Sequence, residues 1–116
     1  MIKVLVERQL KKGKDLGSLL MDLHMMAVLR KGHVSNETLI NPNDNLNIAV
    51  LSTWQSVEDW NSWESSTERA KIVKKIHPLL ARRTHVKIFE IMSPADYEFF
   101  VDPESWTQEH EHPHFD

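Results

Sequence analysis

The alternation of apolar and polar residues along the chain predicts four strands and three helices. Residues 2–10 alternate with the two-residue period of a strand that has one buried face. Apolar residues then recur with helical spacing up to Arg30, and Asp15 is the expected N-cap of this first helix. The remaining strands are expected, in chain order, over residues 32–40, 46–54 and 86–91.

A short helix with two indole side chains is expected directly after the third strand. Ser56 precedes it as an N-cap, and two acidic residues follow in the first turn, where the helix dipole favours negative charge. Trp60 and Trp63 are three residues apart, so they lie on one face of this helix. We expect the helix to close a pocket.

A longer helix is expected next, from a cap at Ser65 or Ser66 to about Leu80, and Pro78 should kink it or stop it near its end. Its basic residues are assigned to the solvated face: Arg69, Lys71, Lys74 and Lys75. The first helix carries a second apolar row beside its main one, formed by Met21, Met25, Val28 and Leu29. Because this stripe is wider than one sheet needs, that flank should be buried or line a cavity.

The order β-α-β-β-α-β predicts a ferredoxin-like α+β fold with a four-stranded antiparallel sheet, over residues 1–92. Two helices cover only one face of such a sheet, whereas the third strand is apolar on both faces. We therefore expect a homodimer in which the sheet faces of two copies cover each other. Residues 93–116 form an acidic C-terminal arm, and its aromatic residues predict packing on the body or on the partner: Tyr97, Phe99, Phe100 and Trp106.

Composition and charge narrow the function classes. A chain of 116 residues fits one domain, and the absence of cysteine excludes disulfides and fits a cytoplasmic location. No apolar run approaches the ~20 residues of a membrane span. The net charge is −3, but seven of the 17 acidic residues and no Lys or Arg follow Met92, so the body is mildly basic. This pattern does not indicate nucleic-acid binding.

The arm also contains alternating histidines, His110, His112 and His114. In an extended segment these histidines can coordinate a divalent metal ion, but a solvated acidic tail is the expected alternative. We predict no metal and no other cofactor for this protein.

Residues 32–39, followed by Ser52-Thr53-Trp54-Gln55-Ser56 and by Trp60-x-x-Trp63, resemble the antibiotic biosynthesis monooxygenase family. The resemblance covers roughly residues 2–92. It implies a dimeric α+β barrel, and members that oxidise aromatic or quinol-like molecules with dioxygen and without metal or flavin. A haem-degrading branch pairs its tryptophan with an asparagine and a histidine. In this sequence the position of the asparagine falls within Glu7-Arg8-Gln9, and the position of the histidine falls near Val73. Both residues are missing, so haem degradation is not expected.

The resemblance places Trp63 at the position of the family's active-site tryptophan, as a pocket wall for a flat aromatic substrate, although an ordinary core role would explain it as well. His24, at the edge of the first helix's apolar stripe, is a candidate general base or a water-bonded surface histidine. Arg8 is a candidate to hold a phenolate or carboxylate, or else a surface arginine. Residues expected to contact the substrate are Met21, Met25, Trp60, Val73 and His77.

These residues predict a cofactor-independent monooxygenase for a small aromatic substrate. A non-catalytic dimeric module that binds or senses a small molecule is the alternative, because the sequence offers no clear acid–base pair.

Overall fold

The computed structural model describes residues 1–100 as one four-stranded antiparallel sheet with helices on one side. The strands are β1 (Ile2–Gln9), β2 (His33–Asn41), β3 (Asp44–Trp54) and β4 (His85–Glu90). The helices are α1 (Gly17–Val28), α2 (Val57–Glu64), α3 (Thr67–Ile76) and α4 (Pro94–Phe100), and a 3₁₀ turn, His77–Leu79, follows α3. The strand order β2-β3-β1-β4 confirms the predicted ferredoxin-like α+β fold.

Serine caps begin two of the helices where the sequence predicted them. Ser56 Oγ accepts a hydrogen bond from the Asp59 backbone N–H at 3.2 Å, and Ser66 Oγ accepts one from the Arg69 N–H at 3.2 Å. The longer helix α3 stops at Ile76, short of the predicted end, and Pro78 lies in the 3₁₀ turn that follows. Proline lacks the N–H that a continuing α-helix needs, which explains this stop.

The start of α1 differs from the prediction. Asp15 Oδ1 accepts a hydrogen bond from the Gly17 N–H at 2.8 Å, which makes a local turn before the helix rather than an N-cap. The helix then begins at Gly17, with the buried Leu16 in the cap position, and it ends at Val28 instead of Arg30.

The core lies between the sheet and the helices. Alternate residues of β1, namely Ile2, Val4 and Val6, are buried beneath α1 and α2 and pack with three tryptophans: Trp54, Trp60 and Trp63. A second cluster closes the other end of the layer: Leu10, Leu16, Ile76 and Leu80. The predicted common face of Trp60 and Trp63 is therefore the buried face of α2.

The second apolar row of α1 is not buried within one chain. Met25 is 60% exposed and Leu29 is 80% exposed, and only Met21 of this row borders a pocket described below. Ala27 is the only fully buried residue of α1, so the helix buries a narrower stripe than its sequence suggests.

The opposite face of the sheet carries no helix among the described residues. Leu5 and Leu51 lie opposite each other on β1 and β3 and are half-buried, while Phe89 on β4 is 55% exposed.

Within residues 1–100, no helix is both long enough and apolar enough to cross a membrane.

The described part of the arm is the short helix α4. Ser93 caps it, because its Oγ accepts a hydrogen bond from the Asp96 backbone N–H at 3.3 Å, while the Ser93 N–H donates to Asp96 Oδ2 at 2.7 Å. Tyr97 is 56% exposed. The predictions that concern Trp106 and the three arm histidines lie outside the described residues.

Candidate functional site

A pocket between α1 and the helix-covered face of the sheet consists of two adjoining chambers. The inner chamber has a cavity volume of about 50 Å³ and lies against the tryptophans of α2 and β3. The outer chamber is wider, about 560 Å³, and opens between α1 and the strands β2 and β3. Four residues line both chambers and form their junction: Leu20, His24, Asn36 and Thr38.

Indole side chains form one wall of the inner chamber. Trp60 and Trp63 reach it from α2 because the cap at Ser56 fixes the start of that helix directly after β3. Trp54 holds a fixed orientation, since its Nε1–H donates to Ser52 Oγ at 3.0 Å. The ring of Trp60 packs edge-on to that of Trp54, with centroids 5.9 Å apart.

Arg8 lies at the floor of this chamber and is almost completely buried, at 4% exposed. It follows Val4 and Val6 on the buried face of β1, so the alternation of the strand itself carries the guanidinium into the core. Burial, together with the nearby charge of Arg69, lowers the pKa of Arg8 well below its usual range, to about 10.

Arg69 extends from the first turn of α3 into the same chamber, where its guanidinium lies 5.5 Å from the centre of the Trp60 ring. Burial lowers the pKa of Arg69 as well, and the negative charge of Glu64 partly opposes this shift. A second cation–π contact supports the other indole, because Arg30 lies 5.9 Å from the Trp63 ring centre on the far side of α2. Arg30 is held by Ser62 and does not line the pocket.

His24 stands at the junction of the two chambers, on the exposed edge of α1. Near it, His33 packs edge-on to Trp54 at a centroid distance of 5.2 Å, and its Nε2 is buried without a hydrogen bond. Burial, and next the charge of His24, lower the pKa of His33, so His33 favours its neutral form. Of these two histidines, only His24 has access to both chambers.

The structure brings most of the predicted catalytic and contact residues together. Arg8, His24, Trp60 and Trp63 all line the inner chamber, and Met21 lines the outer one. Arg8 is buried rather than on the surface, which removes the alternative of a surface arginine.

The other predicted contact residues lie elsewhere. Val73 and His77 line a side cleft of about 250 Å³ on the β4 side, which shares Arg8 and Arg69 with the inner chamber. Met25 is exposed and borders neither chamber.

Four polar residues of the inner chamber were not predicted as site residues: Arg69, Asn36, Thr38 and Ser52. Arg69 was assigned to the solvated face of its helix, and the structure corrects this, because the side chain is half-buried over Trp60. The strand β2 has a register irregularity between His33 and Ser35, which turns Asn36 and Thr38 toward the helices.

Known structures share this architecture at low sequence identity, whereas no protein-family model and no curated protein matches the sequence. A candidate antibiotic biosynthesis monooxygenase from Nitrosomonas europaea matches with a TM-score of 0.74 at 12% identity, over 80% of this chain and 100% of that one. Rv0793 from Mycobacterium tuberculosis matches with a TM-score of 0.72 at 14% identity, over 81% and 97%. SnoaB, a cofactor-independent oxygenase from Streptomyces nogalater, matches with a TM-score of 0.69 at 11% identity, over 79% and 94%. The chain therefore has the fold of antibiotic biosynthesis monooxygenase-type proteins.

Proposed function

We propose that this protein is a cofactor-independent monooxygenase that oxidises a small aromatic or quinol-like molecule with dioxygen. The observation that carries the proposal is the pair of chambers beside Trp60 and Trp63. The outer chamber, at about 560 Å³, has the size of a small-molecule site, and the indole-walled inner chamber narrows to about 50 Å³. The described cofactor-independent oxygenase activity of the structural relative SnoaB supports the same reaction class.

His24 is the proposed general base, because it is the histidine at the junction of the chambers. Removal of a proton from a substrate hydroxyl makes the ring electron-rich enough to give one electron to dioxygen. The resulting substrate radical and superoxide combine in a carbon–oxygen bond to give a peroxide anion, which takes the proton back from His24. The hydroperoxide, formed on a ring carbon that carries hydrogen, then loses water to leave a carbonyl. One oxygen atom enters the product and the other leaves as water, so the substrate supplies all the electrons.

The indole walls close the inner end of the site, so they hold the substrate against the residues of the junction and keep water from the reacting carbon. Trp63 and Trp60 are rigid, buried apolar surfaces, and each is supported by an arginine stacked over its ring. Oriented binding of this kind raises the rate by holding reactants in a productive geometry.

Oxygen uptake with a panel of hydroquinones, combined with mass analysis after reaction under isotope-labelled dioxygen, tests the proposal. We expect one labelled oxygen atom in the product. His24→Ala should lower kcat by roughly 10²–10⁴-fold, the usual contribution of a general base. His85→Ala is the matched control, since His85 is exposed on β4 outside the pocket. Uptake that equals the uncatalysed rate, or that is unchanged in both His24→Ala and Trp63→Ala, would contradict the mechanism.

A dimeric binding or regulatory module is the second candidate. It is favoured by the polar lining of the inner chamber, which includes two arginines and no carboxylate among its described residues. Tight binding of an aromatic ligand without oxygen uptake would support this function over oxygenation.

We also propose that two copies associate through the sheet face that lacks helices. Leu5, Leu51 and Ala49 lie together at the centre of that face and are only half-buried in one chain. Leu39 and Phe89 extend the apolar surface onto the outer strands, at 43% and 55% exposed. A second copy would cover this surface with the same residues, as a two-fold interface requires.

A further inference from the structure

Arg8 is the only charged side chain in the buried class among the residues whose side chains the structure describes. None of the hydrogen bonds or ion pairs found among those residues involves its guanidinium. A buried charge is costly when it is neither paired nor hydrogen-bonded. The fold therefore holds an arginine at a position where β1 otherwise places valine and isoleucine.

The nitrogen atoms of Arg8 are not sealed inside the protein. His33 Nε2 is the only fully enclosed side-chain nitrogen or oxygen without a hydrogen bond in the described part of the chain. Since the nitrogens of Arg8 also have no partner within the described part of the chain, they open onto space there, and Arg8 lines both the inner chamber and the side cleft. Its donors are thus directed at a site that a ligand can enter.

Arg69 brings a second positive charge to the same place. It borders the same two spaces as Arg8, and its charge is close enough to lower the pKa of Arg8. Glu64, whose negative charge acts on Arg69, lines the side cleft but not the inner chamber. Two like charges with reduced hydration repel each other, and an anion between them relieves that repulsion.

We infer that Arg8 and Arg69 together bind the carboxylate of an aromatic acid whose ring occupies the outer chamber. This inference rests on the proposed function and specifies the charge of its substrate. The volumes favour this division, because the inner chamber is much the smaller, at about 50 Å³, and the wide chamber of about 560 Å³ adjoins it. Two guanidinium forks match the planar, bidentate geometry of a carboxylate.

The test compares a hydroxynaphthoate with its methyl ester by titration calorimetry, because the two ligands share one ring system and differ in charge. Wild-type protein should bind the acid at least about tenfold more tightly than the ester. Arg8→Met and Arg69→Met should each abolish this preference and leave the affinity for the ester within about twofold. Arg8→Lys keeps the charge without the planar fork, so we expect it to retain only part of the preference.

Arg83→Met is the matched control, since Arg83 is an exposed arginine outside both chambers and the variant has the same net charge as the other two. Equal affinity of wild-type protein for acid and ester would overturn the inference. A preference that survives in both Arg8→Met and Arg69→Met, or that Arg83→Met also abolishes, would do the same.

Oxygen uptake separates this inference from the proposed function. Turnover of a neutral naphthohydroquinone, with no preference for the acid, would sustain the oxygenase and refute the carboxylate site. Binding of the acid that depends on Arg8, with no oxygen uptake from any hydroquinone, would sustain the site and refute the oxygenase.

Discussion

Replacing Arg8 by methionine should stabilise the ligand-free protein, although substitutions of buried residues usually destabilise. The side chain is 4% exposed and has no hydrogen-bond or ion-pair partner among the described residues. Methionine has a similar length and flexibility, so it can fill the space beside Val6 and Trp60 without introducing a charge. The substitution also removes the repulsion between Arg8 and Arg69.

The magnitude follows from the displaced pKa of Arg8. The folded protein holds the pKa of Arg8 at about 10, well below its usual range, and therefore disfavours the charged form by roughly 3 kcal/mol, at about 1.4 kcal/mol for each pKa unit. Hydration through the chamber opening reduces the gain from removing the charge, so we expect ~1–3 kcal/mol, in line with replacements of buried ionic groups by apolar ones. For a domain of this size, ~1 kcal/mol raises Tm by roughly 4–8 °C.

Urea and thermal unfolding of the wild type, Arg8→Met and Arg83→Met measure this effect. Arg83→Met should stay within about 0.5 kcal/mol of the wild type, as exposed substitutions do. An aromatic acid at one fixed concentration should raise the Tm of the wild type more than that of Arg8→Met, because stabilisation by a ligand follows its affinity for the folded state. A loss of ~1 kcal/mol or more in ligand-free Arg8→Met would refute the reasoning, since it would show that the arginine supports the fold.

Three other properties can be tested on the same protein. Gly32→Ala should cost several kcal/mol in urea unfolding, because Gly32 has φ +85° and an added Cβ would overlap the Asp59 carboxyl group; an unchanged midpoint would contradict this. Leu51→Glu should convert a dimer into a monomer in light scattering, whereas Leu29→Glu on the exposed side of α1 should not; the same mass for all three proteins would refute the interface. The pKa of His33 is lowered by burial, so its contribution to stability is present above about pH 6.5 and is lost as the pH falls through the lowered value. His33→Phe should therefore lose less unfolding free energy than the wild type between about pH 7.5 and pH 5, and equal losses would exclude His33 as the source.

Local sequence signals accounted for the architecture. Ser56 and Ser66 cap their helices because each Oγ accepts a hydrogen bond from the backbone N–H three residues later in the chain. Such a contact depends only on neighbouring residues. The alternation of apolar residues in β1 and the stop of α3 before Pro78 are likewise determined by neighbouring residues. Asp15 shows the limit of such signals, because the same side chain serves a turn or a helix cap, and here it serves the turn.

The polar lining of the pocket depended on geometry that no local pattern contains. Asn36 faces the helices because β2 changes register near His33, and a one-residue shift moves every following side chain to the other face. Arg69 reaches the chamber because α3 begins beside the ring of Trp60, which follows from the packing of two helices. Arg8 was different, since the period that placed Val4 and Val6 in the core extends to it.

The tryptophans show why a core role and a site role need not exclude each other. Trp54 is fixed in the core by its hydrogen bond to Ser52, and Trp60 packs against it while also forming the chamber wall. A rigid wall of this kind shapes the inner end of the site, but it supplies neither charge nor a base. The specificity of the chamber must therefore come from the residues that touch the substrate's polar atoms. Arg8 and Arg69 are the two arginines that line it. Exchanging these residues should change which substrates bind, whereas exchanging the tryptophans should first reduce stability.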